Sequence, residues 1–256
     1  MAVDPAVAAG ALLETWGHLV SALEGGWVRA RGGGLGGVTR VPAPTLNGVW
    51  VEAIDADAGQ IGNLLDEVAE TAMPYCLQFR PGAAERLTEL AISRRMTKEE
   101  EIPLMTLDDR SRLDSAQAVP GLTIREISPE EAHLHARTAS DGFEAPPELF
   151  LQLMTPSLLA AQGARCYLGE AGGKPVTTGF GVTLGAYVAI FNIATPPEHR
   201  RHGYGAAVTA RAVADGLEAG AKWSWLQATA AGRPVYERLG FRTVETWPCW
   251  IAGSHT

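Results

Sequence analysis

Ala194-Thr-Pro-Pro-Glu-His-Arg-Arg-His-Gly-Tyr-Gly-Ala206 leaves an apolar run, turns through two prolines and enters an alanine-rich stretch. A helix N-terminus presents unpaired N–H groups and about half a positive charge, so an anion placed there meets donors and a favourable dipole together. Gly203 and Gly205 carry no side chain, which lets a phosphate approach those donors closely. Arg200, Arg201 and His202 add positive charge to the same corner. The residues also suit a plain strand-to-helix turn with a solvated basic face, and a single Gly-x-Gly does not separate the two readings.

A second stretch narrows the choice. Arg200-x-x-Gly203-x-Gly205, preceded by Pro197-Glu198 and an apolar strand, is followed downstream by Val235-Tyr-Glu-Arg-Leu-Gly-Phe241. The pair, in this order, resembles the two hallmarks of the GNAT superfamily of N-acetyltransferases, over about the last half of the chain from near Leu122. The resemblance implies an α+β fold, a mixed and mainly antiparallel sheet flanked by helices. It implies acetyl-CoA as co-substrate, held at Arg200, Arg201, His202, Gly203, Tyr204, Gly205 and Ala206, with the backbone at Ile193 and Ala194 bonding the pantetheine arm. Tyr236 is then the proton donor to the departing thiolate, since a phenol with a pKa of about 10 stays protonated at neutral pH. Packing against Phe241 as core is the other role open to it.

The chain departs from the family pattern at three places. Arg201 stands where a glycine is common, His202 replaces the more usual Lys or Arg, and Gln227-Ala-Thr-Ala-Ala231 lacks the asparagine that many relatives place near the sulfur. The backbone donors survive these changes.

With 256 residues, 46% of them hydrophobic, the chain is long enough for one large core or two ordinary ones. A net charge of −8 opposes nonspecific nucleic-acid binding, although a local basic corner still holds an anion. Asp4 occupies the region where a secretory signal is basic, and Glu14, His18 and Glu24 interrupt the first apolar stretch too soon for a membrane span, so a cytoplasmic protein is expected. Cys76, Cys166 and Cys249 are scattered, with no Cys-x-x-Cys spacing for zinc, and read as buried thiols; no metal is expected.

Taken in order, the first half alternates helix and strand. Helical spacing covers Pro5 to Leu23, Asp55 to Thr71 and Pro81 to Arg94; strand patterns cover Val38 to Val41, Val49 to Ile54, Tyr75 to Phe79 and Ile102 to Leu107. Gly32-Gly-Gly-Leu-Gly-Gly37 lacks the Lys-Ser/Thr of a phosphate cradle and reads as a flexible turn. Leu77-Gln78 with Glu85-Arg86-Leu87 parallels Leu226-Gln227 with Glu237-Arg238-Leu239. A chance match and an internal repeat both fit; a repeat makes the first half a degenerate acetyltransferase-like or accessory α/β copy, with Ala84 in the place of Tyr236. The polar stretch from Leu107 to Gly121 suits a linker, dividing the chain into residues 1–115 and 116–256.

In the second half Leu122 to Ile127 alternates as a strand, and Ser128-Pro129-Glu130-Glu131 matches a helix start. His133 and His135 fall on different helix faces and read as ordinary polar residues; Asp141, Glu144 and Glu148 lie where acceptor-binding groups could sit and also read as a solvated acidic face, the favoured of the two. Arg165 to Glu170, Lys174 to Leu184 and Tyr187 to Ala194 form an antiparallel meander, and the helix after Gly205 carries Arg211, Asp215 and Glu218 as a solvated stripe. Trp223 to Gln227 and Phe241 to Ile251 complete the sheet. The expected activity is direct acetyl transfer to a primary amine of a small molecule or peptide by a monomer or homodimer, without nucleic acid or membrane partners. A noncatalytic acyl-CoA-binding module is the competing expectation, and the general base is unassigned.

Overall fold

Asp4 starts the first helix, α1 (Pro5–Ala22), by accepting the N–H of Ala6 at 2.7 Å in the computed structural model, which describes residues 2–99, 101–111, 113, 116 and 118–252. The strands β1 (Trp27–Arg31), β2 (Gly34–Val38) and β3 (Asn47–Val51) pair antiparallel in succession. Helix α2 (Ala58–Ala69) then crosses over to β4 (Cys76–Phe79), which lies parallel to β3. After α3 (Ala84–Ser93) and β5 (Thr97–Lys98), the sheet is completed by the last strand of the chain, β13 (Cys249–Ile251), antiparallel to both β4 and β5. Its order is β1-β2-β3-β4-β13-β5. Ile61, Leu64, Leu65 and Val68 recur at helical spacing on α2 and bury against Val49, Leu77 and Phe79 of the sheet.

Gly34 to Gly37 are buried strand rather than a flexible turn. A Cβ at Gly34 would sit 2.8 Å from Ile61 Cδ1, and one at Gly36 would sit 3.0 Å from the Trp27 ring, so close packing across the sheet explains these glycines.

The second sheet contains β6 (Ile102–Leu107), β7 (Leu122–Glu126), the meander β8 (Ala164–Ala171), β9 (Lys174–Leu184) and β10 (Tyr187–Ala194), then β11 (Trp223–Gln227) and β12 (Arg242–Trp247). Its order is β12-β6-β11-β10-β9-β8-β7, antiparallel through the meander and parallel between β10 and β11. Between β7 and β8 run α4 (Ala132–Phe143), α5 (Pro147–Leu153) and α6 (Pro156–Leu159); α7 (Tyr204–Glu218) links β10 to β11, and α8 (Arg233–Leu239) links β11 to β12. Ser128 and Glu131 close the anticipated capping box.

Two compact units result: Asp4–Leu104 with the segment from Val244 onward, and Met105–Thr243. Between the two, the chain passes from one unit to the other after Leu104. Leu113, within the stretch read as a linker, is 1% exposed and packs in the core of the second unit; Arg112, Asp114, Ser115 and Gln117 of that stretch lie outside the described residues. The closing segment read as one strand is two, because β13 pairs with β4 and β5 while β12 belongs to the other sheet.

Two other sequence expectations change. Asp215 is buried, not on a solvated stripe: it accepts from Tyr167 Oη at 3.0 Å and from Arg211 Nε at 2.8 Å, fastening α7 to β8. Burial and that carboxylate push the Tyr167 phenol up from its ordinary pKa. A Cβ at Gly216 on the same helix would lie 2.6 Å from Val188 Cβ, so α7 rests almost directly on β10. His135 is likewise no surface residue; it is fully buried on α4, which packs on β9, and neither ring nitrogen has a hydrogen-bond partner among the described residues.

Burial lowers the pKa of His135 to about 3, opposed by the backbone of Gly179. The unfolded chain takes up a proton near pH 6.5 that the folded chain refuses, so the stability that depends on a neutral His135 is complete above that pH and is lost on acidification toward 3. The slope has a ceiling of about 1.4 kcal/mol per pH unit. Denaturant unfolding of the wild type and His135→Leu at pH 7, 6, 5 and 4 measures the difference: the variant should lose less stability per pH unit, and equal slopes would contradict the assignment.

Candidate active site

β10 ends in an irregularity that its sequence does not announce. Asn192 has a left-handed backbone with φ 49, and the β9–β10 register shifts between Phe191 and Ala194. The Asn192 side chain donates to Met154 Sδ at 3.1 Å, just beyond α5. On the other edge, the parallel ladder to β11 stops at Ala189 and Trp225, although β10 runs on to Ala194 and β11 to Gln227. The two strands thus part, leaving the edge of β10 from Ile190 onward without ladder partners from β11. Ile193 and Ala194 lie on that open edge; the Ala194 carbonyl accepts from Thr177 Oγ1 at 2.8 Å.

The chain then turns through a short 3-10 segment, Pro197–His199, into α7. Gly203 is the N-cap with φ 83, and no side chain caps the helix. The first intrahelical bond runs from Ala207 N to the Gly203 carbonyl at 3.0 Å, so the N–H groups of Tyr204, Gly205 and Ala206 have no acceptor within the helix. An added Cβ at Gly205 would meet nothing nearer than Thr195 Oγ1 at 3.5 Å. The corner therefore leaves three successive N–H groups without an acceptor in their helix, with Thr195 at ordinary contact distance from Gly205.

The basic residues of the corner divide their tasks. Arg201 keeps a left-handed backbone at φ 66, a strain of order 1 kcal/mol. His202 directs Nδ1 at the carbonyls of Arg200 (2.9 Å) and His199 (3.1 Å) and stacks on Tyr204, which gives Nδ1 the proton. Arg200 is committed elsewhere. Its guanidinium donates to the carbonyls of Thr195 (3.2 Å) and Gly142 (2.9 Å) and to Glu144 Oε1 (2.8 Å), tying the end of α4 to the end of β10. A Cβ at Gly142 would lie 2.7 Å from Ala194 Cβ, so this end of α4 already abuts the strand. Glu144, read from sequence as a solvated acid, is the ionic half of that tie.

Tyr236 sits on α8 with its ring edge-on to Phe241 at 6.0 Å and against the core of the unit. Gly240, at φ 99, ends the helix in a left-handed cap and sends Phe241 back under the ring. Burial pushes the phenol up to about 12. Its hydroxyl has no hydrogen-bond partner among the described residues. The side chain is packed as a core aromatic, the second of the two roles read from the sequence. The Thr177–Thr195 hydroxyl contact of 3.0 Å beneath Gly205 had no signal in the sequence, because it joins two strand ends.

The first unit repeats the order β10-α7-β11-α8 as β3-α2-β4-α3. Leu77-Gln78 falls on β4 as Leu226-Gln227 falls on β11, and Glu85-Arg86-Leu87 falls on α3 as Glu237-Arg238-Leu239 falls on α8. Two details differ. The β3–β4 ladder continues to Val51 and Phe79 and is prolonged by Arg80 N to the Val51 carbonyl at 3.1 Å, so no seam opens. The N-terminus of α2 is closed by Asp57, whose Oδ1 accepts from Gly59 N at 2.9 Å and Gln60 N at 3.1 Å; these bonds hold its carboxyl below the usual range.

Comparison with known proteins agrees with this geometry. Residues 162–243 match the acetyltransferase (GNAT) domain family, about a third of the chain. The matched stretch lies within the second unit. A GCN5-related N-acetyltransferase from Kribbella flavida is similar over 99% of this chain and 98% of its own, with 21% identity and a TM-score of 0.70. Another from Sphaerobacter thermophilus covers 98% and 94%, at 16% identity and a TM-score of 0.61. A tandem GNAT protein from the clavulanic acid biosynthesis pathway covers 90% and 83%, at 18% identity and a TM-score of 0.58. These likenesses show the fold, and the two sheets fit a tandem arrangement. No curated protein matches the sequence. Among the described residues there is no group of three or more His, Cys, Asp or Glu placed to hold a metal, and no helix long and apolar enough to cross a membrane.

Arg200→Ala removes the tie without touching the helix donors. Because its ion pair is well exposed, global stability should fall by no more than about 1 kcal/mol. Amide hydrogen exchange at residues 142–145 should instead accelerate by about tenfold through local fraying of α4. Unchanged exchange there would show that the tie does not hold the helix end.

Proposed function

We propose that the second unit is an acetyl-CoA-dependent N-acetyltransferase that passes the acetyl group directly to a primary amine, and that the first unit is a degenerate copy without that chemistry. The observation that carries the reading is the parted β10–β11 seam running into an uncapped, glycine-cleared helix N-terminus. The fit is chemical as well as spatial: the coenzyme's pyrophosphate needs several N–H donors, and Tyr204, Gly205 and Ala206 supply them. The bulged backbone at Asn192, Ile193 and Ala194 accounts for the pantetheine arm, and Arg201 adds charge at the rim. Acetyl-CoA supplies an activated acyl thioester. Tyr236 gives its proton to the departing sulfur, and a phenol held near 12 remains a donor throughout the neutral and mildly alkaline range. The first unit, with its seam closed and α2 capped by a carboxylate, offers the coenzyme neither slot nor donors.

Direct transfer is favoured over a covalent acyl-enzyme because Cys166, the cysteine of the second unit, is buried, and burial raises its thiol well above its ordinary pKa. Thiol release in the presence of an amine panel separates the enzyme from a module that only binds acyl-CoA: binding without release would convert the proposal to the latter.

Tyr236→Phe should lower turnover by about a hundredfold while coenzyme affinity is unchanged. The measurement is initial rates beside a coenzyme binding isotherm, and full activity would remove the proton-donor role. Gly205→Asp separates folding from function by opposite signs. A carboxylate in the first turn favours the free helix, and 3.5 Å of clearance accommodates its Cβ, yet it repels the pyrophosphate. The variant should melt at or above the wild-type temperature and lose the thermal shift given by coenzyme. Retention of that shift would place the coenzyme elsewhere.

A further inference from the structure

In the first unit a groove of about 600 Å³ opens between α1 and the turn joining β1 to β2. Gly10, Leu13, Glu14 and Gly17 face it from the helix, Leu35 from the sheet, and Glu52 from the residue after β3. The groove exists because α1 has no side chain at Gly10 and Gly17, two turns apart on one face. A Cβ at Gly10 would come within 3.3 Å of Glu52 Oε2.

The charges around the groove are paired to different degrees, and the charge of Glu52 acts on the Arg80 guanidinium. Arg31, at its rim, donates to Glu67 Oε1 at 2.9 Å. Arg80 donates to the backbone carbonyl of Glu52 at 3.5 Å, but its guanidinium fork is spent on Glu245, with contacts of 3.0, 3.0 and 2.6 Å. The Glu52 carboxylate is half-buried and makes no hydrogen bond or ion pair among the described residues. Glu14 lies one helical turn from Gly10 and adds a second carboxylate to the same lining. Leu13 and Leu35 supply apolar walls. A polyanion finds repulsion here; a compact cation with an apolar body finds a counter-ion and a surface to cover.

We propose that this groove is a binding site for an organic ammonium, a primary amine in its protonated form on a short apolar stem, with Glu52 as its counter-ion. The site does not depend on the transferase reading of the second unit. It gives the first unit a ligand of opposite charge to a coenzyme phosphate, consistent with the carboxylate that closes α2.

The test is isothermal titration of the full chain with cyclohexylammonium chloride, cyclohexanol and cyclohexanecarboxylate at matched ionic strength, with backbone amide shifts recorded in parallel. Saturable binding of the ammonium alone is expected, with shifts at Gly32 to Leu35 in the groove. Glu52→Gln, which keeps shape and removes charge, should weaken it by about tenfold or more. Gly17→Leu should abolish it by filling the groove; the nearest atoms to a Cβ there are 3.8 and 3.9 Å away, and leucine suits a helix better than glycine, so this variant supplies the answer if Glu52→Gln fails to fold. Absence of saturable ammonium binding, equal binding of cyclohexanol, or undiminished affinity in either folded variant would overturn the proposal.

Discussion

Main-chain N–H groups left without acceptors at the start of a helix are the constraint around which the second unit is arranged. Every helix begins with such orphans, and most sequences satisfy them locally. This chain does so at α1 with Asp4 and at α2 with Asp57. At α7 it does not: Gly203 takes the N-cap position, offers no side-chain acceptor and adopts a left-handed backbone. The same βαβα order is thus finished in two ways, one with its helix start capped by a carboxylate and one with it uncapped.

The surroundings of that helix keep the corner in place. Asp215, held by Tyr167 and Arg211, fixes α7 to β8, and Gly216 lets the helix rest against Val188. Arg200 binds the end of α4 to the end of β10. Strain at Arg201 and at Asn192 lies in the segment where the strand gives way to the helix, and the packed elements around it hold both residues in left-handed conformations. In the first unit the corresponding seam is zipped shut by its ladder, and the helix donors are consumed by Asp57.

Local chemistry made much of this legible in the sequence. The strand patterns over Lys174 to Leu184 and Tyr187 to Ala194 coincide with β9 and β10, and Ser128 with Glu131 marked a helix start. The two family hallmarks gave the mixed sheet flanked by helices. What stayed hidden was long-range. Asp215 sits at ion-pair spacing from Arg211, so its spacing said solvent, whereas Tyr167 arrives from 48 residues away. Gly34 to Gly37 look like a loop in sequence because the crowding that requires them comes from Ile61 and Trp27. No periodicity reveals that β13 completes a sheet begun by residues 27–31, nor that the Arg200 side chain serves α4.

Backbone amide chemical shifts during titration with coenzyme A address the central claim most directly, because they report the donors themselves. The account predicts large downfield shifts for Tyr204, Gly205 and Ala206, smaller ones at residues 192–194, and none at Gly59 and Gln60. Shifts at Gly59 and Gln60, or silence at Tyr204 to Ala206 under saturating coenzyme, would contradict it.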